Sequence, residues 1–223
     1  FIHAYENGIT PNPCIDCNRY LKFDRLYRRA AELGYDYVAT GHYAQIERDP
    51  ISGRYLLKKA VDPDKDQSYV LYAMTQEQLA HTRFPLGNLT KAQTRKIAQT
   101  QRFVNARKHD SQDICFVPDG NYANFIEQYT GKCYPQGDFV DCNGNTLGKH
   151  RGIIRYTVGQ RKGLGLSFPE PMYVCAVNPL DHSVTLGKKS ELYSKTLLAK
   201  DINLISVPCI RDAVRVQAKV RYR

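Results

Sequence analysis

Thr10-Pro11-Asn12-Pro13-Cys14-Ile15-Asp16-Cys17-Asn18 is the stretch around which the fold and the chemistry of this sequence are organised. Two prolines fix φ and bias the residues before them toward extended conformations, so a stiff backbone carries the Cys-x-x-Cys pair. Apolar residues then recur at helical spacing up to Gly34, with Asn18 predicted as the N-cap. A helix N-terminus stabilises a thiolate, and the sequence therefore predicts reactive thiols.

Length and cysteine content set the broad class. The 223 residues can bury one large core or two to three small ones. The seven cysteines are odd in number and scattered, which is typical of reduced thiols rather than of a secreted disulfide scaffold. No apolar run is long enough for a membrane span and the first residues do not resemble a secretion signal, so a soluble, cytoplasmic protein is expected.

The charge of the chain favours a polyanionic partner. Lys and Arg number 32 against 22 Asp and Glu, which gives a net charge of +10 and a pI of about 9.2. Nucleic acid is the favoured partner because no strongly amphipathic basic helix points to a membrane. A generally basic surface without a specific partner is the alternative.

A second cysteine lies in residues 107–117, Arg-Lys-His-Asp-Ser-Gln-Asp-Ile-Cys-Phe-Val. Cations precede Cys115 and apolar residues follow it, a setting that can favour the thiolate and shield a reaction product from water. The alternative is a small buried hydrophobic residue that enters an Ile-Cys-Phe-Val strand. The Cys-x-x-Cys pair elsewhere in the chain favours the reactive interpretation.

Local patterns predict the other elements. A short strand is predicted over 35–41, after the first helix, as half of a βαβ unit. Ligands bind at the carboxyl ends of such strands, which is where Gly41 and His42 lie. The alternative is that Gly41 is only a turn residue and His42 only a surface residue. Two capping boxes open helices, at 75–78 and 90–93, and a further helix covers 122–129. Hairpins are predicted over 43–59, around Asn143-Gly144 and over 173–188, with more strands over 197–207 and 214–223.

Two stretches favour contact with a polyanion. Residues 150–165 are rich in glycine and basic residues, among them Arg161 and Lys162, and such a loop can approach phosphates closely; an ordinary exposed loop is the equal alternative. In the last predicted strand one face is apolar and the other carries only positive charge and glutamine, which favours a sheet that faces a polyanion.

Several of these motifs together resemble the tRNA-specific 2-thiouridylase family, MnmA, in order and over nearly the whole chain. They are Thr-Pro-Asn-Pro-Cys-x-x-Cys-Asn (10–18), Ala-Thr-Gly-His-Tyr (39–43), Lys-Asp-Gln-Ser-Tyr (65–69), Phe-Pro-Leu-Gly (84–87), Asp-Ser-x-x-Ile-Cys-Phe (110–116) and Gly-Gln-Arg-Lys-Gly-Leu-Gly (159–165).

The resemblance implies a fold of class α/β plus β. Residues 1–119 would be the C-terminal part of a doubly wound, ATP-pyrophosphatase-type catalytic domain, 120–190 a small central mixed domain that contacts tRNA, and 191–223 the start of an antiparallel β-barrel. The family's Ser-Gly-Gly-x-Asp-Ser loop for ATP is not found in this sequence. The chain is therefore expected to be a fragment that lacks this loop and the end of the barrel, and to be inactive alone.

The resemblance also implies an activity and its residues. The family replaces the C2 oxygen of the wobble uridine in tRNA with sulfur and consumes ATP. Cys115 would carry the persulfide, and Cys17 would resolve it through a Cys17–Cys115 disulfide. Gly41 would approach ATP. Residues that match positions near tRNA are His42, Lys65, Asp66, Gln67, Arg221, Tyr222 and Arg223. A monomer that receives sulfur from a relay protein is expected.

One departure from the family leaves alternatives open. Many members have aspartate, a candidate general base, where this sequence has Cys14. Asp16 or another group would then take the proton, or Cys14 would join Cys17 and Cys115, as three thiolates that hold a [4Fe-4S] cluster. The preferred interpretation is persulfide chemistry with no metal. A thioredoxin-like oxidoreductase and a non-catalytic tRNA-binding module are the alternatives from other classes.

Overall fold

Two hydrophobic cores organise the chain, and each belongs to one of two units. The computed structural model describes residues 1–107, 114–117 and 119–220. One unit comprises Phe1–Pro13 and Ser111–Leu198, and we call it the four-stranded unit. The other comprises Cys14–Asp110 and Ala199–Arg223, and we call it the mixed unit. The division of the chain at 119 and 190 stays a prediction.

Six helices and eight strands lie in the described residues. The helices are α1 (Ile2–Glu6), α2 (Pro13–Asp16), α3 (Leu26–Glu32), α4 (Gln76–Ala80), α5 (Lys91–Thr100) and α6 (Tyr122–Thr130). A π-helical segment, Cys17–Arg25, joins α2 to α3. The strands are β1 (Val38–Ala39), β2 (Ala44–Arg48), β3 (Tyr55–Lys59), β4 (Thr82–Arg83), β5 (Gly137–Val140), β6 (Thr146–His150), β7 (Tyr173–Asn178) and β8 (Ser183–Gly187). Short 3-10 helices lie at Ser68–Val70, Ile153–Arg155 and Lys189–Leu192.

The mixed unit contains a parallel and an antiparallel strand pair. Strand β1 pairs with β4 in parallel, and β2 pairs with β3 as the predicted hairpin. Both predicted capping boxes are confirmed: the Thr75 and Thr90 side chains accept from the backbone of Gln78 and Gln93, whose side chains accept in return. The core of this unit consists of Phe23, Ala44, Val70, Leu71, Met74 and Leu79.

The four-stranded unit has a sheet with the strand order β6-β5-β8-β7. The hairpins β5–β6 and β7–β8 and helix α6 are confirmed, and β5 runs parallel to β8. In the β5–β6 turn, the Asp141 carboxylate accepts from the backbone of Asn143 and Asn145, each at 2.8 Å, and Gly144 has a φ of 87° that suits this residue. The core includes Phe139, Ile126, Val174, Val184 and Leu186.

Two predicted features of the chain's helices and strands are wrong. The helical stretch that contains the Cys-x-x-Cys pair begins at Pro13, a residue that is favoured at the first position of a helix, so Asn18 lies inside this stretch and is not its N-cap. Residues 197–207 and 214–220 form no strand. The carbonyl groups of Leu204 and Ile205 accept hydrogen bonds from the Arg54 side chain at 2.9 and 3.0 Å, and no neighbouring strand pairs with them.

The α/β plus β content is thus confirmed, whereas a doubly wound domain and a C-terminal barrel stay predictions. In the described ranges the strands form two two-stranded sheets and one four-stranded sheet, and no closed barrel. Every helix in these ranges is too short or too polar to cross a membrane.

Candidate functional site

The Cys-x-x-Cys pair lies at the beginning of the first long helical stretch. Cys14 is exposed in the first turn, and Cys17 is half-buried at the start of the π-helical segment. Two buried side chains fix this segment: Phe23 is 1% exposed in the core, and the Asn18 side chain donates to the carbonyl of Val70 at 3.5 Å. Such wide helical turns are frequent at functional sites. The fold therefore holds the Cys17 backbone in place while its thiol has access to solvent.

Cys115 lies on an exposed turn, so the alternative of a small buried residue in an Ile-Cys-Phe-Val strand does not hold. The backbone N–H of Val117 donates to the carbonyl of Ile114 at 2.9 Å and closes the turn. Val117 is fully buried, and the Phe116 ring packs edge-on against Phe1, with ring centroids 5.2 Å apart. The Cys115 thiol is thus exposed, while the two residues that follow it, Phe116 and Val117, are held by packing. Lys108, His109 and Asp110 of the upstream charged stretch lie outside the described residues.

The cysteines give no support to a metal cluster. All seven are described, and none forms a disulfide. Across residues 1–107, 114–117 and 119–220, no three His, Cys, Asp or Glu side chains are grouped so that they can hold a metal ion. The predicted [4Fe-4S] cluster therefore has no support in this structure.

Gly41 and His42 follow the carboxyl end of β1. Gly41 is exposed, and a Cβ atom there would meet only Leu86, at an ordinary 3.7 Å. The fold itself therefore does not require glycine at this position. His42 is 7% exposed, lies between Phe23 and Phe84, and its Nδ1 atom is 2.7 Å from the Thr40 hydroxyl. Little of the ring is left for contact with RNA.

Burial, and secondarily the charge of Lys22, lowers the pKa of His42 to about 4. The unfolded chain takes up this proton near pH 6.5, so between pH 6.5 and 4 it binds more protons than the folded chain does. We expect the free energy of unfolding to fall by about 3 kcal/mol from pH 7 to pH 4 through this group. Urea unfolding at both pH values should show the loss for wild type and for His3→Gln, and a markedly smaller loss for His42→Gln. Equal losses in all three would contradict the assignment.

The Lys65-Asp66-Gln67 stretch is held by its own hydrogen bonds. The Asp66 carboxylate accepts from the backbone of Ala60 at 3.0 Å and from the Ser68 hydroxyl at 2.9 Å. The Gln67 side-chain oxygen accepts from the backbone of Tyr43 at 3.0 Å. These contacts fix the loop beside β2. The predicted contacts of this stretch with tRNA stay predictions.

The glycine-rich loop presents two unneutralised cations. Gln160 braces it: its side chain accepts from the backbone of Thr157 at 3.1 Å and donates to the carbonyl of Lys162 at 3.0 Å. Gly163 has a φ of 77°, which other residues rarely adopt. Arg161 and Lys162 are exposed, and among the described residues neither side chain has a hydrogen bond or an ion pair.

A cavity of about 610 Å³ adjoins this loop and contains a cation that the sequence analysis did not single out. Arg151 lines it together with Tyr122, Gln160 and Gly163. The Arg151 side chain is exposed and has no partner in the described part of the chain, whereas the nearby Arg155 pairs with Glu127 at 2.8 Å. In the sequence, the position of Arg151 within the basic stretch 150–165 could have identified it as a candidate. Arg221, Tyr222 and Arg223 lie outside the described residues.

Comparison with known proteins gives a consistent result along the chain. The family model of the tRNA methyl transferase HUP domain matches residues 1–119, and that of the tRNA methyl transferase PRC-barrel domain matches residues 123–188. Relatives named tRNA-specific 2-thiouridylase MnmA are 52% identical in Clostridioides difficile and in Acetivibrio thermocellus, and 48% identical in Clostridium kluyveri.

Each of these three alignments covers all of this chain and 62% of the relative's length. The chain thus spans about three-fifths of the curated relatives that it matches. Because the two family models match residues 1–119 and 123–188 and relatives about 50% identical over the whole chain carry that name, this chain belongs to the family of the tRNA-specific 2-thiouridylases.

Proposed function

We propose that this chain takes part in the ATP-dependent 2-thiolation of the wobble uridine of tRNA, with Cys115 as the persulfide-bearing cysteine and Cys17 as the resolving cysteine. The observation that carries the proposal is 52% identity over the whole chain to proteins with that name. The exposed, anchored thiol of Cys115 supports it, because a sulfur-transfer cysteine has to meet both a donor and a substrate.

The chemistry requires two thiols. ATP supplies the adenylyl group that turns the C2 oxygen of uridine into a leaving group. The terminal sulfur of the Cys115 persulfide adds at C2, and AMP leaves with the oxygen. The Cys17 thiolate then attacks the Cys115 sulfur, the sulfur–sulfur bond breaks, and the outer sulfur remains on uridine. The product is a Cys17–Cys115 disulfide, which an external dithiol reduces before a donor persulfide reloads Cys115.

The residues around the two thiols have supporting roles in the proposal. Gly41 is assigned to the ATP side because its exposed position leaves room for a ligand against the backbone. Cys14 and Asp16 are both exposed beside Cys17, and we assign proton transfer to one of them. A relay protein is proposed as the sulfur donor.

The loop cations Arg161 and Lys162 are proposed to bind the phosphates of tRNA. Each phosphate contact that is lost lowers the salt dependence of binding by about one unit of slope in a plot of log K against log salt. We expect the variant Arg161→Gln/Lys162→Gln to bind a tRNA transcript more weakly, with a slope reduced by about two. Fluorescence anisotropy at several salt concentrations measures both quantities.

The matched control for this test is Lys189→Gln/Lys195→Gln, which removes the same charge from exposed positions outside the loop. An equal effect of both double variants would show that only net charge matters. A wild-type chain that binds no tRNA would refute the tRNA-binding part of the proposal. Binding of tRNA without any uptake of sulfur would favour a non-catalytic binding module.

A further inference from the structure

Residues 78–109 contain no acidic side chain, although the chain carries 22 Asp and Glu in its 223 residues. The same stretch contains seven lysines and arginines: Arg83, Lys91, Arg95, Lys96, Arg102, Arg107 and Lys108. Elsewhere, some surface cations have an acidic partner, as Lys58 has in Glu47 and Lys149 has in Asp138. This stretch therefore concentrates positive charge that no neighbouring acid in the sequence neutralises.

Helix α5 lies in the middle of this stretch and is open to solvent on most of its surface. None of its ten residues is buried. Only Lys91, Thr94 and Ala98 are half-buried, and their spacing places them on one face of the helix. Lys96 lies on the opposite side of the helix and Arg95 borders the contact face, and both side chains are exposed. The helix thus rests on the mixed unit along a narrow contact and leaves both cations open to solvent.

Four cations of this region lack partners. In the described ranges, no hydrogen bond, ion pair or ring contact involves the side chains of Arg95, Lys96, Arg102 or Arg107. A cation close to the C-terminus of a helix is stabilised by the helix dipole, which accounts for Arg102. It does not account for Arg95 and Lys96 in the middle of α5. Four like charges on one short segment repel one another weakly in water, and a bound polyanion would relieve that repulsion.

We propose that α5 and the residues that follow it to Arg107 form a second RNA-binding surface, which contacts the phosphate backbone of tRNA. This inference rests on the proposed function and adds a surface that lies apart in sequence from the loop at 158–165. Charge complementarity identifies the occupant: the phosphates of an RNA backbone match a segment with several free cations and no acidic residue, and such contacts need no base sequence. Phe103, which is 58% exposed after the helix, adds an aromatic face on which an unpaired base can stack.

RNA fits this surface better than a lipid membrane does. An interfacial helix needs a wide apolar face, and Ile97 is the one exposed large apolar side chain inside α5. The remaining outward residues of the helix are polar or alanine. Phe103 and Val104 are also exposed, but they follow the end of the helix and do not give it a wide apolar face. The surface therefore has the charge for an anionic partner but lacks the amphipathic helix that insertion needs.

The test compares two triple variants with the same net charge. Arg95→Gln/Lys96→Gln/Arg102→Gln removes three cations from the proposed surface, and Lys189→Gln/Lys195→Gln/Lys200→Gln removes three exposed cations elsewhere. Binding of a fluorescent tRNA transcript is measured by anisotropy between low and moderate salt. We expect the first variant to weaken binding by about tenfold or more and to reduce the salt slope by about three. The second should change either quantity much less.

The outcomes separate this inference from the proposed function. If wild type binds tRNA and both triple variants weaken binding equally, the α5 surface is refuted while tRNA binding stands. If wild type binds no tRNA, the proposed function fails first. Unchanged helix content by circular dichroism shows that the variant is folded. Loss of binding to anionic vesicles, or of self-association in light scattering, with tRNA binding intact would assign the surface to another occupant and overturn the proposal.

Discussion

Replacing Cys115 by serine is expected to abolish both the uptake of sulfur from a low-molecular-weight persulfide and the release of sulfide by this chain. The Cys115 thiolate takes the outer sulfur of the donor, and the donor leaves as a thiolate. Without uridine, Cys17 then attacks Cys115, releases hydrosulfide and forms the Cys17–Cys115 disulfide. Cys17→Ser should therefore still take up sulfur but release little sulfide, so that the persulfide accumulates. Intact-mass spectrometry and a sulfide assay measure the two steps.

The matched control is Cys133→Ser, because Cys133 is also an exposed cysteine of the four-stranded unit. This variant should take up and release sulfur at the wild-type rate. Retention of sulfur uptake by Cys115→Ser would refute the assignment of the persulfide. Rapid release of sulfide by Cys17→Ser would instead show that another thiol resolves it.

Phe23→Ala is expected to lower the free energy of unfolding of the mixed unit by about 3–5 kcal/mol. Phe23 is 1% exposed, packs against His42 and Phe84, and belongs to the π-helical segment that Cys17 opens. Its removal leaves a cavity in the core of this unit, because the surrounding side chains relax only in part. Urea unfolding monitored by circular dichroism gives the change.

The control for this prediction is the same substitution at an exposed phenylalanine, Phe103→Ala, which should change the free energy by less than about 0.5 kcal/mol. If the two variants are equally stable, Phe23 does not anchor the π-helical segment. The partial loss of order around Cys17 can be followed separately through its rate of alkylation, which should rise in Phe23→Ala.

Local signals in the sequence predicted the elements that depend on local contacts. The capping boxes at Thr75 and Thr90 satisfy helix N-terminal N–H groups within four residues, and the Asn143-Gly144 turn brings adjacent strands together. Neither requires knowledge of distant residues. The structure therefore confirms both predictions.

The errors arise where distant parts of the chain decide the conformation. The alternating pattern at 214–220 favours a strand only if a neighbouring strand pairs with it, and the described residues contain none. The Ile-Cys-Phe-Val stretch suits a strand by composition, but Phe116 packs on Phe1, far away in sequence, and the chain turns there. Apolar residues at helical spacing indicate a helix, but they do not indicate that part of it is π-helical or that Asn18 is buried.

The sequence indicated which residues carry the chemistry of the candidate site. It did not indicate which side chains surround and hold these residues. The cysteines and the basic loop were found from residue type and spacing. That Gln67 uses its side chain to fix a loop depends on its contact with Tyr43, 24 residues away in sequence, whereas Asp66 contacts Ala60, which is six residues away. The burial of His42 likewise depends on Phe23 and Phe84, which converge on it from separate elements.

Locating the added sulfur on the wild-type chain tests the proposed role of Cys115 as the persulfide-bearing cysteine. The chain is purified without oxygen, treated with a low-molecular-weight persulfide, alkylated and digested, and its peptides are sequenced by tandem mass spectrometry. We expect one added sulfur atom on Cys115, in protein that contains no iron or acid-labile sulfide. Sulfur on another cysteine with Cys115 unmodified, or bound iron that is lost when Cys14, Cys17 or Cys115 is replaced by alanine, would contradict this expectation.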